Sequence, residues 1–264
     1  MMPKAHAYHI TIILLTVWVM TIPVRALGEE SALTEEISVT AVSRYIDRGQ
    51  ELSRHSLVLQ PSFTLSYGGF AVNVWGSWDS DPCDAGGKHW YETDYTLSYG
   101  GEFGIVTFES GYSYYDMNGY DDSQDIFLTL GLNLPLRPSL TVYREVGNDL
   151  YWYLVLTVNH SVPLTEKLAV DLSASAAYLA SGNRKEYPEI DRHANETGRK
   201  FDNFHDGTLT ISFPYTVSEN VAITPFLSYT FPLCKEARRE MEYFSVTGKD
   251  STFLHGGVTF ACNF

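Results

Sequence analysis

Six histidines fall between residue 50 and the end of this chain: His55, His89, His160, His193, His205 and His255. An imidazole beside a serine and a polar orienting group is the constellation of hydrolytic acyl transfer. Only "NHS", Asn159 to Ser161, brings those types together in sequence. Neighbouring residues of an extended strand point to opposite faces, so His160 and Ser161 do not form a site by themselves. No triad emerges from spacing, and no catalytic residue is assigned.

The cysteines, Cys83, Cys234 and Cys262, are odd in number and show neither a CxxC pair nor metal-ligand spacing, so neither metal nor cofactor is implied. Acid outweighs base, 32 residues to 18, for a formal charge of −14. Nucleic acid is therefore excluded as a partner class. Much of the acid sits in connecting segments such as "GEESALTEE" (residues 28–36) and "DMNGYDDSQD" (116–125), which read as solvated loops.

The elements that must position any site are extended. From residue 36 onward period two dominates, with no amphipathic helix pattern. In "SLVLQPSFTLSY" Leu57, Leu59, Pro61, Phe63, Leu65 and Tyr67 share one face, opposite small and polar residues. "DIFLTLGLNL", "LAVDLSASAAY" and "VAITPFLSYTF" repeat the pattern, and "LHGGVTFACNF" closes the chain with Leu254, Val258, Phe260, Cys262 and Phe264 on one side. Such segments predict about twelve strands, at 36–47, 56–67, 70–78, 89–99, 103–114, 124–134, 139–146, 151–162, 167–179, 206–217, 221–231 and 252–264. Most exceed the usual strand of a soluble protein and fit the roughly 9–11 residues that a tilted strand needs to cross a bilayer.

Connections between these segments alternate. Short turns such as Gly68-Gly69, Gly100-Gly101-Glu102, "PLRP" (135–138), "PLTE" (163–166) and "SEN" (218–220) fall on one end, and mostly long loops on the other. Alternating loop lengths, an even strand count and an apolar face opposite a polar one predict a transmembrane antiparallel up-and-down β-barrel. Closure is required because a bilayer has no water to satisfy an open sheet edge. A soluble sandwich would need bulky inward side chains where this chain has Ser, Thr, Gly, Asn and Asp. Aromatics at 14%, including 18 Tyr, suit a surface that meets both lipid and water.

Residues 1–26 place Lys4 before an apolar run and end in Val24-Arg25-Ala26, the pattern of a secretory signal peptide. A short acidic segment, 27–35, would follow, then the barrel, 36–264. Within residues 43–78, Arg48-Gly49, Gln60-Pro61, Gly69-Phe70 and Trp75-Gly76-Ser77 resemble the TorF-type porin family of outer-membrane proteins. The later segments "YETDYTLSYG", "SVPLTEKLAVDLSASAAY" and "HGGVTFACNF" are consistent with that resemblance. It implies location in the outer membrane and contact with its lipid. Terminal Phe264 resembles the aromatic end residue by which such barrels are handed to their assembly machinery.

Alternation assigns Arg44, Arg48, Glu92, Asp94, Glu109, Asp125 and Asp171 to the lumen, where charges of both signs would either set ion preference or pair across the interior and plug it. Tyr67, Tyr99, Tyr229 and Phe231 belong to the aromatic girdle. Cys83 and Cys234 fall in long loops on one end, which makes a disulfide between them an expectation, while Cys262 sits near the opposite rim. The functional reading is a passive channel for small hydrophilic solutes or ions. Two alternatives stand beside it: a non-conducting barrel that binds an envelope partner, with the loop of residues 181–205 as the contact, and an outer-membrane hydrolase.

Overall fold

The computed structural model describes residues 32–83, 87–248 and 250–264. The expected signal peptide and the start of the acidic segment lie outside the described residues. Twelve antiparallel strands form a single closed barrel. They are β1 (Thr34–Val42), β2 (Val58–Tyr67), β3 (Phe70–Asp79), β4 (Trp90–Phe103), β5 (Val106–Met117) and β6 (Ser123–Leu132). The second half comprises β7 (Ser139–Glu145), β8 (Trp152–Pro163), β9 (Ala169–Ala180), β10 (Asp202–Ser212), β11 (Val221–Pro232) and β12 (Phe253–Asn263). Each strand pairs with its sequence neighbours, and β1 pairs with β12 along Glu36 to Val42, so no spanning edge is left open.

The face assignments follow the sequence pattern. Outward positions such as Phe63, Val72, Leu97, Leu128, Leu156 and Leu227 are all more than a third exposed, forming an apolar belt around the barrel. Around a closed barrel such a belt is a lipid-facing surface. Inward positions carry hydroxyls that bond across strand pairs: Thr40 to Thr259 at 2.9 Å, Thr96 to Ser113 at 2.8 Å, Thr129 to Thr141 at 2.9 Å and Thr208 to Thr230 at 2.9 Å. Hydroxyls satisfied in this way still present a lone pair to water, so the wall is wettable.

Aromatic residues mark both rims. Tyr67 and Tyr99 lie outward at the short-turn end, Tyr99 packing on Phe70 at 4.7 Å and on Phe108 at 6.0 Å. Tyr229 and Phe231 stack at 5.5 Å at the opposite end. Phe264 is exposed and exchanges backbone hydrogen bonds with Glu35, donating at 2.9 Å and accepting at 3.3 Å.

Several boundaries differ from the sequence expectation. The turn at Gly68-Gly69 has φ of 59° and 86°, as a two-residue hairpin requires. The second copy of the same phrase is different: β4 runs on through Gly100 and Gly101, and the chain turns at Gly104, with φ of 61°. Gly100 is instead the close neighbour of the first turn, its amide donating to the Gly69 carbonyl at 2.9 Å. The expected tenth strand is divided into β10 and a short segment, Tyr215–Ser218, that pairs with the start of β11.

The long-loop end holds two features that periodicity did not indicate. Helix α1 (Lys235–Phe244) follows β11, with the Cys234 sulfur accepting from the Ala237 amide at 3.3 Å as its N-cap. The first long loop does not continue β1 along the wall. It folds inward as a small hairpin, Ile46–Asp47 against Gln50–Glu51.

Candidate functional site

The inward hairpin carries the functional geometry. Its turn is Arg48-Gly49, with φ of 44° and 78°. Two consecutive left-handed residues make the turn that matches strand twist, and an Asn-Gly pair is the usual occupant. An arginine in that conformation stores about 1–2 kcal/mol of strain, so surrounding contacts must hold it. Gly49 has no alternative here. A Cβ would lie 2.9 Å from Asp206 Cβ and 3.0 Å from His205 Cε1, so the tip touches β10 directly.

Arg48 extends sideways into an aromatic and acidic cage built by β5 to β8. Its guanidinium lies 5.0 Å from the ring centre of Tyr143, 5.4 Å from Tyr151, 5.5 Å from Tyr153 and 5.9 Å from Tyr115. One Nη donates to the Tyr151 hydroxyl and the other to Asp125 Oδ2, with Tyr115 Oη at 3.4 Å. Asp125 is fully buried; its second oxygen, Oδ1, accepts no hydrogen bond among the described residues. Burial opposes the charge of Arg48, but Tyr151 and Asp125 beside it hold its pKa well above the usual arginine value.

The rest of the hairpin is tied to other walls. Tyr45 donates to Glu92 on β4 at 2.9 Å and packs on Trp75 at 5.7 Å. Arg44 pairs with Glu51 at 3.2 Å across the base and lies over the Phe253 ring. Glu51 also accepts from the Ser245 and Thr247 hydroxyls, the latter at 3.0 Å. Gln50 donates to Glu240 of α1 at 3.1 Å.

Glu240 meets the barrel through His205. A bulge in β10 opposite Ala177 lets adjacent His205 and Asp206 both turn inward, which regular alternation forbids. His205 Nε2 bonds to Glu240 at 2.8 Å and Nδ1 to Asp206 at 2.9 Å, while Tyr153 donates to Asp206 at 2.8 Å. Hairpin, helix and cage thus form one buried polar network.

The network divides the lumen. Above the hairpin, toward the long loops, lies a cavity of about 570 Å³ that reaches Tyr120, Asp149 and Glu186. Below lie cavities of about 540 and 410 Å³, the larger reaching Asp94, Thr96, Glu109 and Thr129. Asp47, Arg48, Glu92 and Tyr115 border both the outer cavity and the smaller inner one, so they form the septum. In the outer cavity, burial and the charge of Asp149 push Glu186 up to about 6.

Of the seven expected lumen residues, Glu92 and Asp125 lie on the wall at the septum, and Asp94 and Glu109 line the inner cavity. Asp171 faces inward near the opposite rim, with Oδ1 lacking a protein partner among the described residues. Arg44 and Arg48 face the lumen, but from the infolded loop and not from a wall strand. Their backbone leaves the sheet at Ser43, whose amide bonds to Gly256 at 2.9 Å while the chain turns inward.

Cys83 and Cys234 are not bonded to one another, and all three thiols are free. The Cys234 sulfur is engaged as helix cap and as a donor to the Phe204 carbonyl at 3.1 Å. His160 is exposed on the outer face, and Ser161 lies on the inner one, as alternation requires. The loop of residues 181–205 contains the hairpin Pro188–Ile190 and Glu196–Lys200, with Tyr187, Ile190 and Phe201 buried. Tyr187 meets Tyr151 edge-on at 5.1 Å, so this loop folds over the mouth and braces the cage.

Comparison with known proteins supports the fold. No protein-family model matches the chain, and no curated protein matches it in sequence. Among solved structures, the NanC porin superposes with a TM-score of 0.54 at 9% identity, over 86% of this chain and 98% of that one. A bacterial polysaccharide outer membrane secretin gives 0.44 at 9% identity, over 90% and 100%. OmpT, an outer membrane protein of Vibrio cholerae, gives 0.39 at 8% identity, over 90% and 99%.

Proposed function

We propose that the barrel resides in an outer membrane and is a gated passive pore for small hydrophilic solutes and ions. The observation that carries this reading is the pair of wettable compartments on either side of a thin, non-covalent septum. A barrel built only as a structural plug has no need of polar-lined cavities of several hundred cubic ångströms on both sides. Residues 43–78, from which the infolded hairpin arises, resemble the TorF-type porins, which agrees with a porin-like barrel.

Charge on the lining favours cations. Asp47, Glu92, Asp94 and Glu109 border the inner cavities, Asp206 there is bonded to His205, and the arginines are paired with Asp125 and Glu51. A cleft lined by one sign of charge concentrates the opposite ion. The full chain refolded into planar bilayers is expected to show discrete conductance steps with potassium passing in preference to chloride. Absence of steps above background would overturn the reading.

The closed septum itself favours a second reading, a non-conducting barrel that presents its long-loop end to an envelope partner. Replacing residues 45–52 by a short Gly-Ser linker separates the two. A pore conducts in wild type and more in the variant, whereas a sealed scaffold conducts in the variant alone.

A further inference from the structure

The cage around Arg48 resembles a ligand site that the chain fills with its own side chain. Four tyrosine rings within 5.9 Å of the guanidinium carbon, a buried carboxylate and two phenol hydroxyls make a pocket for a flat cation. Quadrupoles of aromatic faces attract cations, and a carboxylate with two free oxygens pairs with a guanidinium in two parallel bonds. Arg48 uses only one oxygen of Asp125, and the fully buried Oδ1 is left without a protein partner among the described residues. Arg48 is also held in a left-handed turn, with φ of 44°, so it is a strained occupant. A free cation of the same chemistry would carry no such strain.

We propose that this cage is a recognition site for small organic cations bearing a guanidinium group, and that such a solute enters by displacing Arg48. The proposal rests on the pore reading for its transport consequence. It names the solute class: guanidinium-bearing compounds, drawn in by the acidic lining and sorted by the tyrosine cage. Displacement frees the hairpin tip, so the preferred solute is also what opens the septum. Asp47, already 4.0 Å from the Arg48 Nε, and Glu92 border the same cavity and would hold the released Arg48.

The test uses the full-length protein. In detergent, Arg48→Ala empties the cage, and guanidinium chloride at low millimolar concentration is expected to raise its melting temperature. Tetramethylammonium should need a roughly tenfold higher concentration for the same rise, being unable to donate to Asp125. Asp125→Asn in the Arg48→Ala background should abolish the difference. Equal effects of guanidinium, tetramethylammonium and sodium would overturn the proposal.

Wild type supplies a measurement that depends on no variant folding. Under bi-ionic conditions in planar bilayers, methylguanidinium is expected to be more permeant than methylammonium, despite its larger size. If the pore conducts potassium but orders these two by size alone, the cage proposal falls and the pore reading stands. If guanidinium protects Arg48→Ala in detergent while neither protein conducts, the pore reading falls and the cage stands.

Discussion

Asp125→Ala tests what holds the septum closed. The Arg48–Asp125 pair is deeply buried, with side-chain exposures of 12% and 0%. Removing one member of a buried pair typically costs about 3–5 kcal/mol, because the other charge is left stranded. Arg48 would keep the hydroxyls of Tyr151 and Tyr115, and Asp47 lies 4.0 Å from its Nε. The lower end of that range therefore applies, about 3 kcal/mol. If the lost energy bears only on the closed hairpin, the open-to-closed ratio rises about a hundredfold, at 1.4 kcal/mol per decade. Strain at Arg48 is released on opening and acts in the same direction. Single-channel recording reads this directly, as open probability at fixed voltage. Tyr151→Phe, which removes one hydrogen bond to a charged group, should give a smaller rise, about tenfold. An open probability for Asp125→Ala within threefold of wild type would refute the reasoning, since the pair would then not be what closes the gate.

Gly49→Ala adds a Cβ 2.9 Å from Asp206 at a left-handed position, so faster proteolytic cleavage within residues 43–57 is expected, without loss of the barrel's heat-modifiable migration. Glu186, partly buried beside Asp149, sits near 6 in the folded protein, above its ordinary value, so its charge destabilises the long-loop end above pH 6. That penalty is removed as pH falls through 6. Melting temperature should therefore gain a component between pH 7 and pH 5 that Glu186→Gln abolishes; an unchanged pH dependence would sink the assignment. Peptide mapping without reduction should return Cys83, Cys234 and Cys262 as free thiols, and a linked Cys83–Cys234 peptide would contradict the geometry around the helix cap.

The barrel was legible because its outer face obeys period two without relief from residue to residue, as Leu59, Phe63 and Tyr67 on β2 show. The gate was much less so. Val42-Ser43-Arg44-Tyr45-Ile46 puts a serine where Ile37 and Val39 set the outward face and places Val42 and Ile46 inward, a break in the alternation too short to separate a wall strand from one that leaves the sheet. Only Asp47-Arg48-Gly49, a turn sequence, marked the point where the expected strand had to break. Helix α1 was hidden because one residue of its buried stripe, Ala237, Glu240 and Met241, is a carboxylate that finds its imidazole 35 residues away. His205 and Asp206 escaped because a bulge places neighbours on the same face, against the rule used to sort every other residue. The tyrosines of the cage were countable in the sequence, but Tyr143 and Tyr153 meet only because the register of β7 and β8 sets them side by side.

The contacts of Glu51 have a consequence for how the molecule is made. Its partners Ser245 and Thr247 lie 194 and 196 residues further along the chain, and Gln50 reaches 190 residues to Glu240. Nothing local can complete the septum. These groups come within reach only when the last strand has paired with the first, since β1 and β12 bring the two chain segments to the same side of the mouth. Contacts of such long separation form late and slowly. A half-assembled sheet would thus carry an unfinished gate, and an intact gate certifies a finished ring. Protection of the hairpin amides against hydrogen exchange would then serve as a clock for the closing of the last seam.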